Sequence, residues 1–422
     1  MRTKFLITLL AGLPGLSQEK ITLESAVAIA LKGNPRLEAD RVSSIAAGEL
    51  VNGVRSSLYP TVVASTTAAG AADESRLAAG ALNNPIIFNR YAAGASISQL
   101  ITDFGRTTDL VHSARQRALS QQENVNTSRA QLVLAVHRAY FSVLRSAGVL
   151  RVAEETVRAR TLALEQISAL ANSNLRSTLD VSFAEVNLSE AKLAVLTASN
   201  ERRQSLADLS VVMGFSRPRQ LELEDVPSPS DPPPDVESVI TAALQKRPEI
   251  AALRLEREAA VSLANAEKKL NLPTVTALAN MGVAPVHDDR LKSRYAAGAI
   301  NLSFPVFNGG LFSARQREAD LRVQAIDLRL RDIENQIVRE ATAAVLAAEA
   351  AFERINLTSQ LLKQAALTAE LAQERYELGL SSIVELSQAQ LNETAAQMRS
   401  LAARYDYLIQ RSVVAYQAGS LP

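Results

Sequence analysis

The sequence predicts a mainly α-helical protein with a small β part and an internal duplication. The first observation is a duplication, because residues 30–37 return in related form as 243–250, so that Pro35 matches Pro248. The second is composition: Ala, Leu, Glu, Gln and Arg dominate and aromatics are 4%, which is typical of long helices. The third is a pair of short, weakly alternating segments in each half, which is a strand pattern.

The duplication keeps its register over most of the chain. An offset of 213 residues carries residues 59–62 onto 272–275, and an offset of 205 relates Gly105 to Gly310 and Gly214 to Gly419. A unit of about 200 residues is far longer than a solenoid repeat. We therefore predict a first structural repeat at 18–214, a linker at 215–234 and a second repeat at 235–419. The linker contains Pro227, Pro229, Pro232, Pro233 and Pro234, which favour an extended chain.

The first 17 residues read as a secretory signal peptide. A basic start is followed by an apolar stretch at 5–16, too short to span a bilayer, and by small residues at Gly15 and Ser17. A buried N-terminal helix is the competing interpretation, but Pro14 and Gly15 would break it. We expect an exported protein cleaved after Ser17.

Composition excludes several classes of function. The net charge is +1 with both signs interspersed, which gives no nucleic-acid patch. No cysteine is present, so disulfides and thiolate metal sites are excluded. Beyond the signal, no stretch approaches the 18 or so apolar residues of a transmembrane helix. The chain is therefore predicted to be secreted, periplasmic, or held in an outer membrane by strands.

Each half is predicted to contain the same elements in the same order. Thr22 and Asp235 are N-cap residues before a helix of about 35 residues, which ends near Leu58 in the first half and Leu270 in the second. The predicted strands follow at 61–70, 91–102, 273–282 and 295–306. Exposed loops are expected between them, at 71–90 and 283–294.

A much longer helix is predicted next in each half. It begins after Gly105 or Gly310 and runs about 65 residues, to about Ser173 or Leu378. A shorter helix follows, at 178–213 and 383–417. In the second half the long helix has an apolar seam at coiled-coil spacing with one stutter. The seam starts at Ala319, Val323, Ile326, Leu330, Ile333 and Ile337 and resumes at Ala341. Periodicity alone fits a wall or tube of helices and an ordinary antiparallel bundle about equally.

The strands decide between these arrangements. Four strands cannot close around a lumen, since about eight are needed merely to enclose side chains. Either they form an open sheet or several chains pool them. One alternate face is mostly apolar: Ala95, Ile97, Ala277, Ala279, Met281, Ile300, Leu302 and Phe304. The other is mostly polar: Ser96, Ser98, Thr276, Leu278, Asn280, Asn301 and Ser303. This pattern suits a water-filled barrel facing lipid, and a soluble sheet also shows it.

Aromatic residues gather at the ends of the predicted strands. They are Tyr59, Phe88, Tyr91, Phe104, Tyr295, Phe304, Phe307 and Phe312, out of eighteen Phe and Tyr in the chain. Girdles of aromatic residues are found at membrane interfaces. Their placement favours strands that meet a membrane.

The ordered set of motifs resembles the TolC-like outer membrane efflux protein family. The resemblance rests on residues 23–35 (Leu-x-x-Ala-x-x-x-Ala-Leu-x-x-Asn-Pro), on 59–61, on 304–310 (Phe-Pro-Val-Phe-Asn-Gly-Gly) and on 375–381 leading into Glu385 and Gln390. It covers about 21 to 419. It implies a homotrimer with a twelve-stranded β-barrel, four strands per chain, continued by an α-barrel of long antiparallel coiled-coil helices. The first-half segment 100–105 departs from the usual Pro-Leu-Phe form.

The resemblance also implies a function. Such a protein conducts substrate passively from an inner-membrane pump and its periplasmic adaptor to the outside, in drug efflux, metal efflux or type I protein secretion. It lies in the cell outer membrane with its helical tunnel in the periplasm. The alternative is a periplasmic or secreted coiled-coil scaffold or adaptor without a channel, which would not need the four strand-like segments.

The two predicted helix turns carry the candidate functional residues. Asn174 and Gly379 are equivalent, and both residue types tolerate the left-handed conformation that ends a helix. The resemblance implies that the second turn contacts the adaptor through Arg375, Leu378, Gly379, Leu380 and Ser381, with Asn174 as the first-half equivalent.

The resemblance implies a periplasmic gate beside these turns, and the alternative is that Asp180 and Glu385 are two solvated acids on the helix surface. Asp180 and Glu385 each follow their turn by six residues, and in a trimer they would supply six carboxylates near one opening, which repel one another and attract cations. Gln388 stands where some relatives have a further acid. Tyr376 is expected either to donate a hydrogen bond to Asp180 across the closed opening or to be a residue of the helix seam.

No catalytic constellation, cofactor motif or metal site is predicted. His112, His137 and His287 lie far apart in sequence without partners at ligand spacing. Gly309 and Gly310 are not followed by the Lys-Ser/Thr of a phosphate loop, so a strand-to-helix bend accounts for them better. The sequence therefore predicts a protein that is not an enzyme.

Overall fold

The computed structural model describes residues 20–69, 90–227, 231–284 and 292–421. The predicted signal peptide, most of the two predicted inter-strand loops, Phe88 and His287 lie outside the described residues. The helices and strands occur in the order α1, α2, β1, β2, α3, α4, α5, α6, β3, β4, α7, α8, with a single 3₁₀ turn after α2 and another after α6.

The elements of the first half are α1 (Leu23–Gly33), α2 (Pro35–Arg55), β1 (Thr61–Ala69), β2 (Arg90–Thr102), α3 (Arg106–Asn172) and α4 (Thr178–Val212). Those of the second half are α5 (Val236–Lys246), α6 (Pro248–Lys268), β3 (Thr274–Val283), β4 (Arg294–Ser303), α7 (Leu311–Glu377) and α8 (Ile383–Gln417). Corresponding helices have equal lengths, at 11, 21, 67 and 35 residues. The predicted fold class, mainly helical with a small antiparallel β part, is confirmed.

The prediction of one 35-residue helix at the start of each half is wrong. The helix is interrupted at Asn34 in the first half and at Arg247 in the second, each directly before a proline. Both residues are extended, with ψ of 116° and 126°. The proline ring clashes with a helical conformation of the residue before it, so the helix ends and a new one begins at the proline. A short 3₁₀ turn then follows Arg55 and Lys268.

The four strands form one antiparallel sheet in the order β1-β2-β3-β4. Directly opposed residues share a face, and the register places Val62, Ile97, Ala279 and Gly298 in one row, with Val63, Ser96, Asn280 and Ala297 in the next. The first row is apolar, whereas the second combines Ser96 and Asn280 with the apolar Val63 and Ala297, so the polar side chains of these two rows lie on one face, as the alternation predicts. Every residue of β4 is exposed in the single chain. The sheet therefore has two uncovered faces of different character.

The chain divides into two compact units. The strand unit comprises 41–125 and 249–333, and the helical unit comprises the remaining residues. In the strand unit, α6 is joined to α7 by ion pairs between Arg257 and Asp327 (2.5 Å) and between Arg315 and Glu267 (2.8 Å). Lys269, just after α6, is paired with Asp109 of α3 at 2.7 Å.

In the described part of the helical unit, buried residues form three hydrophobic clusters. One surrounds the linker and includes Tyr140, Leu209 and Met213, and another joins α5, α7 and α8 around Val345 and Tyr407. The third, the turn cluster, consists of Ile167, Ala184, Ala369, Ala372, Tyr376, Ile383, Leu386 and Ala389. Small alanines recur in all three clusters and permit close helix approach. Among the described residues, none of the helices combines the length and apolar content needed to cross a bilayer.

Candidate functional site

The turns after α3 and α7 have the same backbone geometry. Asn174 has φ of 56° and Gly379 has φ of 71°, both in the left-handed region. At the first turn, Leu175 N–H donates to Leu170 O and Asn174 N–H donates to Ala171 O, both at 2.9 Å. At the second, the corresponding bonds join Leu380 to Arg375 and Gly379 to Tyr376. Each turn is therefore a Schellman motif, which satisfies the last carbonyls of the long helix.

The helices after the turns begin in a similar way. Ser177 Oγ accepts a hydrogen bond from Leu179 N–H, and Ser382 Oγ accepts one from Glu385 N–H at 3.3 Å. These serines are N-caps, and they place Asp180 and Glu385 in the first turn of α4 and α8. A carboxylate there interacts favourably with the helix dipole. Each acidic residue therefore also has a local structural role.

The two acidic residues have different surroundings. Glu385 Oε1 lies 3.2 Å from Arg375 Nη1, and the two side chains are 46% and 56% exposed. Such an exposed pair contributes only about 0–1 kcal/mol. Asp180 has no ion-pair partner among the described residues. The carboxylate of the first half is therefore available to other charges, whereas that of the second is partly neutralised.

Tyr376 lies inside the turn cluster, 5% exposed. Its hydroxyl has no hydrogen-bond partner among the described residues, so the expected bond to Asp180 does not form within the chain. Burial raises the pKa of Tyr376, the charge of Asp180 raises it further, and Arg176 opposes the shift. Asp180 is thus close enough to act electrostatically without accepting the phenolic proton.

Arg176 is the residue of this site that the sequence did not single out. Its guanidinium lies 4.1 Å from the centroid of the Tyr376 ring, and Nη2 donates to Tyr376 O at 2.6 Å. A guanidinium over an aromatic face gains about 0.5–2 kcal/mol. The contact links the first turn to the second. The only available signal was an arginine at the position equivalent to Ser381, inside a turn otherwise built from small residues and leucine.

The turns also present apolar side chains. Leu378 is 73% exposed and Leu380 66%, and Leu175 and Leu179 of the first half are similarly exposed. Ser381 is half-buried, and its hydroxyl has no hydrogen-bond partner among the described residues. All predicted turn and gate residues lie in the helical unit, and the Arg176 and Tyr376 contacts bring the two turns together.

Within the described ranges, no group of three or more His, Asp or Glu side chains is arranged to hold a metal ion. His137 Nδ1 lies 2.9 Å from Ser412 Oγ, and burial lowers its pKa. This histidine is therefore part of the contact between α3 and α8.

Comparisons with known proteins agree with this architecture. A sequence model of the family described as "Outer membrane efflux protein" matches residues 26–215 and 239–416. Outer membrane protein TolC of Escherichia coli (strain K12) is 23% identical, over 98% of this chain and 85% of its own length. Toluene efflux pump outer membrane protein TtgC of Pseudomonas putida is also 23% identical, over 84% of this chain and 74% of its own.

Solved structures share the fold. The Campylobacter jejuni CmeC outer membrane channel aligns with a TM-score of 0.78 at 17% identity, covering 99% of this chain and 94% of its own. The outer membrane protein VceC of Vibrio cholerae gives 0.79 at 18% identity, covering 94% and 96%. The family match spans both halves of the chain and both helix turns. The chain therefore belongs to the outer membrane efflux protein family, a family of channel proteins, and resides in the outer membrane with its helical part in the periplasm.

Proposed function

We propose that this protein is the trimeric exit duct of a tripartite efflux or type I secretion system. Three copies would pool their four-stranded sheets into one twelve-stranded barrel, since four strands are too few to enclose a lumen. The observation that carries the proposal is the sheet itself, which leaves both an apolar and a polar face uncovered in the single chain. Lipid would cover the first face and water the second.

In this proposal the duct conducts passively. An inner-membrane pump supplies substrate, and a periplasmic adaptor joins the pump to the helical part. Leu378, Gly379, Leu380, Ser381 and Arg375, with Asn174 of the first half, form the adaptor contact. Exposed leucines on rigid turns suit this role, because they offer apolar area on a backbone that is already ordered.

Asp180, Glu385 and Tyr376 form the proposed periplasmic gate. Six carboxylates around a narrow opening would attract cations and repel one another. Arg375 opposes part of this charge through its pair with Glu385. Arg176 is expected to hold Tyr376 in place, so that the two turns of one chain move together.

Planar bilayer recordings of the purified protein test the gate. The double substitution Asp180→Ala, Glu385→Ala should lower the preference for cations, and Arg375→Ala should raise it because Glu385 then loses its cationic partner. Gln388→Ala is the matched control, since its side chain is exposed on α8 and bonded only locally to Asn392. Reversal potentials that stay unchanged in the double variant would exclude the acidic gate.

Crosslinking tests the adaptor contact. A photoreactive amino acid at Leu378 or Leu380 should capture the adaptor in cells, whereas the same group at Leu193, an exposed leucine of α4, should not. A protein that is a monomer, soluble without detergent and silent in bilayers would instead be the scaffold without a channel.

A further inference from the structure

An open cavity of about 380 Å³ lies in the helical unit, away from the two turns. Its walls come from the linker segment 221–225, from Lys20, and from α3, α4 and α8. The lining residues are Lys20, Val143, Leu144, Ala147, Arg151, Arg202, Leu221, Glu222, Leu223, Asp225 and Tyr405. Its volume is within the range of small-molecule sites, and five of its eleven lining residues are charged, which favours a charged ligand.

Hydrogen bonds between the linker, the segment at Ile21 and α3 fix the walls of this cavity. Ile21 and Leu223 form a parallel bridge, with Ile21 N–H donating to Glu222 O at 2.8 Å. The fully buried Tyr140 places its hydroxyl 2.9 Å from Ile21 O and 2.6 Å from Glu224 O. The linker and the segment at Lys20 are therefore attached to α3. A preformed wall loses little conformational entropy when a ligand binds.

The cavity has more positive charge than its own carboxylates neutralise. Lys20 precedes α1, Arg151 belongs to α3 and Arg202 to α4, and none of the three has an ion-pair partner in the described part of the chain. Of the two lining carboxylates, Asp225 already accepts from Arg404 at 3.1 Å and from Tyr405 at 3.0 Å. Glu222 is the one remaining acidic side chain, so three cations face one uncommitted carboxylate.

We propose that this cavity binds a compact anion with two or more carboxylate or phosphate groups. Two guanidinium groups offer paired N–H donors that match either type of oxygen, and an ammonium group adds a point charge. Three like charges around one cavity repel one another, and an anion removes this repulsion. The aliphatic surface of Val143, Leu144 and Ala147 would contact the carbon part of the ligand.

Calorimetric titration of the purified full-length protein with citrate and with pyrophosphate tests the proposal. Binding of citrate alone assigns a carboxylate ligand, and binding of pyrophosphate alone assigns a phosphate ligand. Either affinity should fall as salt rises, because the attraction is screened. Arg151→Gln combined with Arg202→Gln should weaken binding about tenfold or more, equivalent to about 1.4 kcal/mol.

Arg203→Gln is the matched control. It removes one positive charge at the position next to Arg202 on α4, is exposed and does not line the cavity, so it matches the Arg202→Gln part of the double variant. Its affinity should stay within about twofold of the parent. Circular dichroism of the double variant separates loss of binding from loss of fold. Absence of binding of both anions by the parent, or an equal loss in Arg203→Gln, overturns the proposal.

Discussion

In each half, the end of the last helix contacts the residue that interrupts the first helix. We call this contact the joint, and the two halves build it with different side chains. In the first half, Gly214 ends α4 with φ of 85°, and Asn34 Nδ2 donates to Val212 O at 3.0 Å. In the second, Gly419 ends α8 and Arg247 donates to Gln417 Oε1 at 2.8 Å. The short Asn34 side chain reaches α4 only if the two backbones lie close together, whereas the longer Arg247 side chain reaches Gln417 across a wider separation. The first joint therefore depends on Gly214 having no side chain, and the second depends on the charge of Arg247.

Replacing Gly214 and Gly419 with alanine should give the largest difference in stability between the two joints. A Cβ on Gly214 would lie 2.3 Å from Gly33 O, whereas one on Gly419 would lie 3.0 Å from Lys246 Cβ. Both variants suffer the left-handed strain of about 1–2 kcal/mol, and Gly214→Ala adds about 1–3 kcal/mol of overpacking. Urea unfolding in detergent should show the larger loss for Gly214→Ala. Gly48→Ala, in open space on α2, is the control and should be neutral or stabilising. Equal losses at Gly214 and Gly419 would contradict the distinction.

The second difference concerns Tyr405, a tyrosine of α8 that contacts the linker and has no tyrosine counterpart on α4. Tyr405 of α8 donates to Asp225, whereas the equivalent position of α4 is Asn200. Burial, together with nearby acidic groups, raises the pKa of Tyr405 to about 12, and burial and Glu224 raise that of Tyr140 to about 12. Because the unfolded value is 10.0, the stabilisation is complete below pH 10 and is lost as the pH rises toward about 12.

Alkaline titration measures this effect. Each phenol contributes at most about 2–3 kcal/mol over that interval. The Tyr405→Phe variant should have lower stability at neutral pH but a shallower loss above pH 10, since it has no proton to release there. Ultraviolet absorbance of phenolate follows the ionisation directly. A parent and variant with identical alkaline profiles would show that Tyr405 ionises no differently in the folded state.

The third test compares the two side chains of the joints. Arg247 is 6% exposed and pairs with Glu340 at 3.2 Å, so Arg247→Ala leaves a partly buried carboxylate without this partner and should cost about 2–3 kcal/mol. Asn34→Ala loses the hydrogen bonds that Oδ1 accepts from N–H groups at the start of α2, together with the bond that Nδ2 donates to Val212 O, and should cost about 1 kcal/mol. Thermal unfolding ranks them. Arg354→Ala, at an exposed position of α7, is the control. An Asn34→Ala loss as large as that of Arg247→Ala would reverse the interpretation.

Much of this architecture could be predicted from the sequence because its determinants are local. Glycine and asparagine mark the left-handed turns at Gly379 and Asn174, and the apolar spacing extends along the long helices. The interruptions at Asn34 and Arg247 were missed because helical spacing continues on both sides of each proline. The contact of Arg176 with Tyr376 joins residues 200 positions apart, so no local pattern could indicate it. The same holds for the missing bond between Tyr376 and Asp180.

The smallest expected effect concerns the two bends between strand and long helix. Phe104 has φ of 57° and is 51% exposed, whereas Gly309, the equivalent residue of the second half, has φ of 62°. Asp103 supports the first bend by accepting from Gly105 N–H and Thr107 N–H. The first half thus has an aromatic residue at the position where the second half has a glycine. The left-handed conformation of Phe104 costs about 1–2 kcal/mol.

Exchanging these residues separates strain from contact. Phe104→Gly relieves the strain but adds about 0.5–1 kcal/mol of unfolded-chain entropy, so its net gain should be about 0.5–1 kcal/mol. Gly309→Ala should lose about 1 kcal/mol, because a Cβ there meets nothing within 4 Å and only φ is unfavourable. Phe104→Asn is the control, since asparagine tolerates this conformation. If Phe104→Gly instead lowers the unfolding free energy, the ring gains more from its surroundings than the backbone loses. The aromatic side chain, rather than the turn, would then explain why the two bends differ.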